Sequence, residues 1–426
     1  TEFIKKFKGG NEMNFKKVMA AILAGTMVFG MASSVSAATE VSFWTLNTRQ
    51  NAVEPIVEAF NEANPDIKVT ASFYDTDGIK DACKVAASSD TLPSMWFNWG
   101  GSLGSFYEEN GKTYDLTQYA KDNGWNDKFT EASLNLCTFE NKLSGYPTSY
   151  NALGVYYNKQ IFEDNGIEVP ATFEDFEAAL KTLKDNGVTP MDTAGLNGWH
   201  VMRWFELLVE HYAGAELHDK LNTFEESWNC DAVVQAFEKY KEWVDAGYFP
   251  DGFLTLDPND TIMAMGTGEC AMDLQGQWYD GQFIQNDLDP NNYGVFAFPS
   301  GDDNRMSAFA EMTQFNANLS DEELDACVKF MDYYQSDENV AEYGEYYNVP
   351  LPVQGAEAPA EQVNVNGMLE TSNENGTFTI TDQAFPTEVA DVLFNAQDAV
   401  ANGEMTPEDA AANIQKANEE IGRAHV

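Results

Sequence analysis

Basic side chains are scarce in this sequence. Among its 426 residues, 24 Lys and Arg stand against 69 Asp and Glu, which gives a formal net charge of −45 at pH 7. A protein that binds nucleic acid or anionic lipid needs Lys and Arg to displace counterions from the phosphates, so this balance argues against both kinds of partner. The charge favours solubility and leaves neutral or cationic molecules as the expected ligands.

Cysteine and histidine are also rare, with five and four copies. The cysteines are widely scattered and form no CxxC pair, so we expect buried free thiols rather than a disulfide framework. The histidines show no metal-ligand spacing, and neither an HExxH motif nor a GxxxxGK[ST] loop occurs. We therefore expect no metal and no cofactor. The cysteines are Cys83, Cys137, Cys230, Cys270 and Cys327.

The longest apolar run lies near the N-terminus and is too short to span a membrane. Lys16 and Lys17 precede the run at 18–31, and small residues follow at 35–37, the pattern of an export signal. No other stretch approaches the roughly 20 apolar residues that a membrane span requires. We predict that residues 1–37 are an upstream extension and signal peptide, that the rest is exported to the periplasm or cell surface, and that no lipid-anchor cysteine follows the cleavage site.

Two regions of alternating strand and helix patterns follow. Val41–Leu46 is typical of a strand, apolar residues from Val53 to Phe60 have helical spacing, and 67–73 alternates again, which predicts a β-α-β unit. Another strand is expected at 95–97. Because ligands bind beyond the carboxyl ends of strands in open sheets, the residues that follow these strands are candidates for a site.

The second region begins with a predicted strand near 153–157. Helices are expected at 199–213 and 231–245, and Thr172, Ser320 and Thr406 each stand where a helix N-cap residue would. The sequence therefore indicates a second α/β lobe.

Six segments, in this order, resemble the family 1 extracellular solute-binding proteins, of which maltose-binding protein is the best-known member. One departure is Asn348, where the family often has Gly. The resemblance covers about residues 40 to 418. The segments are GYP at 145–147, VYYNK at 155–159, PATFEDF at 170–176, GECAM at 268–272, GQW at 276–278 and YNVP at 347–350.

The resemblance implies the α/β class and a two-lobed clamp like the periplasmic binding proteins, each lobe a mainly parallel sheet flanked by helices. The chain crosses between the lobes, so both are discontinuous. Residues 38–150 and 302–350 are expected to form the N-terminal lobe, and 151–301 and 351–419 the C-terminal lobe. Residues 420–426 are interpreted as a non-native tail.

The resemblance also implies a function. The chain would be the extracellular component of an ABC importer that captures a carbohydrate, an oligosaccharide, in the interlobe cleft and delivers it to the permease. Its partners would be a neutral oligosaccharide and the transmembrane subunits of the permease, with no nucleic acid, and the protein would act as a monomer without enzymatic activity.

Ten residues are candidates for ligand contact. Sugars present apolar faces and a rim of hydroxyls, so their sites pair aromatic rings with polar partners. The aromatic candidates are Trp99, Trp199 and Trp278, of which Trp278 resembles the family's sugar-stacking tryptophan. The polar candidates are Asn47, Asn98, Asn151, His200, Gln277, Asp280 and Glu311. Asn151 matches a position where maltose-binding protein has a ligand-contacting carboxylate.

Other interpretations are open at this stage. The GTGECA stretch at 266–271 fits a dinucleotide motif only formally, because it follows a helical segment rather than a strand. The DTDG stretch at 75–78 lacks the later ligands of a calcium loop. A glycoside hydrolase could find its carboxylate pair among so many acidic residues. A binding protein for a cationic solute or a peptide is the other alternative.

Overall fold

The computed structural model describes residues 38–424. The predicted signal peptide at 1–37 and the last two residues of the predicted tail lie outside the described residues. The strands are β1 (Thr39–Leu46), β2 (Ile67–Tyr74), β3 (Met95–Trp99), β4 (Thr138–Phe139), β5 (Lys142–Leu143), β6 (Gly145–Ala152), β7 (Gly154–Asn158), β8 (Thr189–Met191), β9 (Cys270–Gln275), β10 (Tyr293–Phe296), β11 (Met306–Phe315) and β12 (Thr377–Thr379).

Helices outnumber strands in the described residues. They are α1 (Gln50–Ala63), α2 (Thr76–Ser88), α3 (Gly101–Glu109), α4 (Thr117–Asp122), α5 (Trp125–Lys128), α6 (Glu131–Leu136), α7 (Lys159–Asp164), α8 (Phe173–Asp185), α9 (Trp199–Asn222), α10 (Asp231–Ala246), α11 (Thr261–Thr267), α12 (Trp278–Gln285), α13 (Asp321–Tyr334), α14 (Asp337–Tyr343), α15 (Val365–Asn375), α16 (Thr381–Ala384), α17 (Thr387–Ala401) and α18 (Pro407–Ala424).

The first sheet has six strands. β12, β11, β3, β1 and β2 lie side by side in that order, and β6 also pairs with β11. β1 runs parallel to both β2 and β3, which confirms the β-α-β unit predicted from the sequence. β11 runs antiparallel to β3 and β6.

The predicted apolar stripe fixes α1 on this sheet. Val53, Ile56 and Phe60 are at most 1% exposed and pack in one cluster with Val41 and Phe43 of β1. Burying a side chain of this size contributes roughly 1.5–3 kcal/mol, so the stripe is sufficient to hold the helix against the strands.

The second sheet has four strands in the order β10, β7, β9, β8. β8 and β9 are parallel, but β7 runs antiparallel to both β9 and β10. This corrects the expectation of a mainly parallel sheet in each lobe. The direction of β7 is set by its departure from the first sheet, because only Leu153 separates it from β6, and not by a crossover helix.

The chain moves between the sheets more than once. It leaves the first sheet after β6, returns along residues 297–305 to β11, and later adds β12 to β11. Helices α17 and α18 then pack against α10, beside the second sheet. The lobe boundaries given above stay a prediction.

The predicted helix caps are present. The Thr172 and Thr406 hydroxyls accept hydrogen bonds from the backbone N–H groups of Asp175 and Asp409, and Ser320 forms a full capping box with Glu323. Within residues 38–424, the helices lack the combination of length and apolar character that a bilayer crossing demands.

Candidate functional site

A cavity of about 410 Å³ lies between the carboxyl ends of strands from the two sheets. Its first wall comes from the residues that follow β1 and β2, the end of β3, and β11. Its second wall comes from the start of α9, the end of β9 and the start of α12. This volume is within the range of small-molecule sites, and it has the strand-end position predicted from the sequence.

Three tryptophans line the cavity, and both walls contribute. Trp99 ends β3 on the first side, whereas Trp199 and Trp278 begin α9 and α12 on the second. Four other tryptophans, Trp96, Trp204, Trp228 and Trp243, are 0% exposed and belong to the core. The structure therefore brings together the three aromatic candidates and separates them from the packing residues.

Gly276 allows Trp278 to face the cavity. A Cβ atom added at Gly276 would lie 2.2 Å from the indole ring of Trp278, so a larger residue there would displace the ring. The indole Nε1 of Trp278 donates to the side-chain oxygen of Gln275 at 3.1 Å, which fixes the ring plane. The G-x-W spacing is thus explained by a side chain that folds back over the glycine.

Arg203 lies on α9 between two of the tryptophan rings. Its guanidinium carbon is 4.6 Å from the ring centroid of Trp199 and 5.4 Å from that of Trp278. Nη1 donates to the side-chain oxygen of Gln275 and to the backbone oxygen of Leu274. Burial lowers the pKa of Arg203 to about 10, against the attraction of Asp273, so the side chain is cationic at neutral pH. Its other N–H groups have no partner among the described residues and can donate to a ligand.

Glu311 provides an acceptor on the opposite wall. Its Oε2 accepts from Arg49 at 2.7 Å, and from Ser149 and Asn348 at 2.9 Å each. Burial lowers the pKa of Arg49, but the neighbouring Glu311 carboxylate more than compensates, and the pKa is raised overall. In the described part of the chain Oε1 has no donor, so it is free to accept a hydrogen bond from a ligand. Asn348, the departure from the family pattern, is one of the three side chains that hold this carboxylate.

Five of the ten predicted site residues therefore line the cavity: Asn47, Trp99, Trp199, Trp278 and Glu311. The other five do not, because they are buried and bond to protein groups. Asn98 bonds to Gln314, Asn151 to Ser149, His200 to Asp273, Gln277 to the backbone of Tyr150 and Ala152, and Asp280 to Asn364. Direct contact of these five residues with a ligand stays a prediction.

Two of these buried residues, Gln277 and Asn151, hold residues of the cavity walls in place through hydrogen bonds. Gln277 joins the end of β6 to the start of α12, and Asn151 donates to Ser149, which in turn donates to Glu311.

His200 is 0% exposed, and its Nε2 lies 3.2 Å from Asp273. Burial lowers the pKa of His200 although Asp273 opposes this, so the imidazole is neutral at pH 7.

The sequence analysis missed Arg49, Arg203 and Gln275. Two signals could have found them. Arg203 stands four residues after Trp199, one helical turn along the same face, and Gln275 ends the strand that precedes the GQW segment. Arg49 carried no comparable signal, because its role depends on Glu311, which is 262 residues away.

Two α/β lobes that share an aromatic and polar cleft define a ligand-binding clamp. Residues 55–371 match the family described as bacterial extracellular solute-binding protein, and the chain belongs to that family. The family resemblance predicted from the sequence is confirmed.

Curated relatives agree with this assignment. The multiple sugar-binding protein of Streptococcus mutans is 24% identical over 328 residues, which cover 71% of this chain and 72% of the relative. An ABC transporter extracellular-binding protein of Pyrococcus horikoshii is 26% identical over 274 residues. That match covers 61% of this chain and about three fifths, 60%, of the relative's own length.

Solved structures establish the fold. A chitin oligosaccharide binding protein superposes with a TM-score of 0.82 at 24% identity, covering 90% of this chain and 98% of the other. A binding protein in complex with raffinose gives a TM-score of 0.73 at 19% identity, covering 89% and 98%. Both share the two-lobed architecture, which confirms the predicted fold class.

Proposed function

We propose that this protein is the extracellular substrate-binding component of an ABC importer and that it captures a neutral oligosaccharide in the cleft between its lobes. The family assignment and the names of the sugar-binding relatives support this proposal. The observation that carries it is the cleft itself, in which three tryptophans from both walls face a shared cavity of about 410 Å³.

The cleft has the two kinds of group that a neutral sugar needs. The tryptophan rings offer apolar faces to the C–H faces of sugar rings. Glu311 on the first wall offers an acceptor, and Arg203 on the second wall offers donors. A hydroxylated ligand that reaches both residues would connect the lobes, and neither residue requires the ligand to carry a charge.

Such a ligand would act by population shift. A molecule that contacts both walls binds the closed form more tightly than the open form, and turning a mostly open protein mostly closed requires a difference of roughly 5 kcal/mol. Several stacked rings and bridging hydrogen bonds are sufficient for this. The closed monomer would then dock on the transmembrane subunits of the permease and release the sugar to them.

Four carboxylates line the cleft cavity, and three of them, Asp75, Asp257 and Glu311, are held by protein groups; the fourth is Glu345. Asp75 and Asp257 accept hydrogen bonds from backbone N–H groups as helix caps, and Glu311 is held by Arg49. A glycosidase needs one carboxylic acid with a raised pKa opposite a second free carboxylate. These three side chains are instead committed to structural contacts.

A thermal-shift screen tests the proposal. The purified protein is heated with neutral oligosaccharides, monosaccharides, polyamines and short peptides, and each sugar is analysed afterwards for cleavage. A ligand that binds only the folded state raises Tm by mass action, by an amount that grows with its concentration. We expect a rise with one oligosaccharide series and intact sugar. Cleavage, or a rise with amines or peptides alone, would contradict the proposal.

Trp278→Ala should abolish most of this response. The variant loses a stacking surface and the ring that covers Arg203, so we expect the affinity for the responding sugar to fall at least tenfold, measured by calorimetry. Trp44→Ala is the matched control, because Trp44 is a partly buried tryptophan on β1 that packs on Tyr74 outside the cavity. Equal losses of affinity in both variants would show that Trp278 has no specific role.

A further inference from the structure

A second cavity lies behind Trp199, on the side away from the cleft. It has a volume of about 200 Å³, half that of the cleft cavity, and Trp199 and Phe394 supply aromatic rings to its lining. We call it the rear cavity. Lys80 and Leu103 come from α2 and α3, beside the first sheet, whereas Phe394 comes from α17, so both sides of the molecule form its walls.

A narrow passage joins the two cavities. Its volume is about 50 Å³; it shares Trp99 and Arg203 with the cleft, Lys80 and Asp382 with the rear cavity, and Trp199 with both. The two spaces are therefore neighbours along one continuous path, with Trp199 between them.

We propose that the rear cavity is a further carbohydrate subsite, which takes one sugar ring of the same chain that occupies the cleft. This inference rests on the proposed function and extends it. The ligand is then an oligosaccharide that continues past Trp199 rather than one that ends inside the cleft.

The lining of the rear cavity has the chemistry of a sugar site. The rings of Trp199 and Phe394 offer apolar surfaces, and Asp81 and Asp382 offer carboxylates as partners for sugar hydroxyls. Burial raises the pKa of Asp382, although Lys80, Arg203 and the backbone N–H groups of Asp382 and Gln383 oppose this.

The small volume of the passage determines whether the oligosaccharide binds before or after the lobes close. A space of about 50 Å³ accommodates a glycosidic link but not a sugar ring. Trp99 and Lys80 form one of its sides and Trp199 and Arg203 the other, so the passage widens when the lobes separate. The chain must therefore be laid across the open protein, and closure then leaves a ring on each side of Trp199.

Chain-length dependence tests the inference. Cello-, xylo-, malto-, manno- and chito-oligosaccharides of two to six rings are titrated against the full chain by calorimetry. Asp391→Trp places a large ring in the rear cavity from an exposed position on α17, and Glu388→Trp adds the same ring to an exposed position of that helix outside the cavity lining.

We expect the affinity of the wild type for the responding series to rise about tenfold when the chain becomes long enough to reach the rear cavity. Asp391→Trp should remove this gain and leave the affinity for shorter chains unchanged, whereas Glu388→Trp should keep the gain. A wild type without the gain, or an Asp391→Trp variant that retains it, overturns the inference while sugar binding itself stands. If none of these sugars binds, the proposed function fails as well.

Discussion

Asp192 is a buried carboxylic acid beneath the cleft. It is 2% exposed, and burial together with the nearby Asp273 raises its pKa to about 9. Because the folded protein holds this proton more tightly than the unfolded chain does, the contribution of Asp192 to stability is complete below pH 4 and is lost as the pH rises towards 9. The free energy of unfolding should therefore decline with pH across this window.

Asp192→Asn should flatten this decline. The amide keeps the shape of the protonated acid and cannot ionise, so we expect Tm to match the wild type near pH 4 and to exceed it by a few degrees near pH 9, measured by thermal unfolding across that range. Burial also raises the pKa of Glu206 to about 8. Glu206 therefore keeps part of the decline of Tm with pH in the Asp192→Asn variant. Asp302→Asn, at an exposed position, is the control. Parallel profiles for Asp192→Asn and the wild type would contradict this assignment.

At the level of elements, α3 and α16 meet at a single glycine. Gly101 has a φ of +62°, and a Cβ atom there would lie 2.3 Å from the backbone oxygen of Gln383. Gly111 has the same φ, but no heavy atom lies within 4 Å of its Cβ position. Substitutions at the two glycines therefore separate the free-energy cost of the left-handed backbone conformation from the free-energy cost of the close contact with Gln383.

Gly101→Ala should destabilise the protein more than Gly111→Ala does. A non-glycine residue in the left-handed backbone conformation lowers the free energy of unfolding by about 1–2 kcal/mol, and both variants lose this amount. Gly101→Ala also forces α16 away from α3, and since the backbone of Gln383 cannot rotate aside, we expect a further loss of at least about 1 kcal/mol. Urea unfolding measures both. Equal losses of unfolding free energy in the two variants would show that α16 can move away from α3 without a free-energy cost.

At the scale of the whole molecule, the lobes touch directly beside the cleft. The Asp77 carboxylate on α2 accepts a hydrogen bond from Asn197 at 2.5 Å and one from Trp199 Nε1 at 3.4 Å. The hydroxyl of Thr76 donates to Asn259 at 3.3 Å. These contacts need no ligand, so they stabilise the closed form of the empty protein and reduce the closing free energy that a ligand must supply.

Asp77→Ala should shift the empty protein towards the open form. We expect a larger radius of gyration without ligand, measured by small-angle scattering, and a several-fold weaker affinity for the responding sugar, because the ligand must then supply the lost closing energy. The radius of the sugar-bound form should not change. Glu58→Ala, which removes one exposed carboxylate from α1, is the control. If the empty Asp77→Ala variant has the same radius of gyration as the wild type, these contacts do not determine the equilibrium between the open and closed forms.

The sequence by itself determined the class of the protein, the helices and strands with strong periodicity, and the three tryptophans of the cleft. The stripe of α1 and the caps at Thr172, Ser320 and Thr406 are local features, so they can be read within a few residues of chain. Trp278 could be predicted for a similar reason, because the GQW segment contains both the ring and the glycine that makes room for it.

Only the tertiary structure decided which polar residues line the cleft cavity. Asn98, Asn151 and Gln277 look like site residues in the sequence, but their amides bond to groups on other elements. Arg49 and Glu311 meet over 262 residues of sequence, and the direction of β7 depends on where the chain leaves the first sheet. Hydrogen bonding and burial are settled between distant segments, so no local pattern could have specified them.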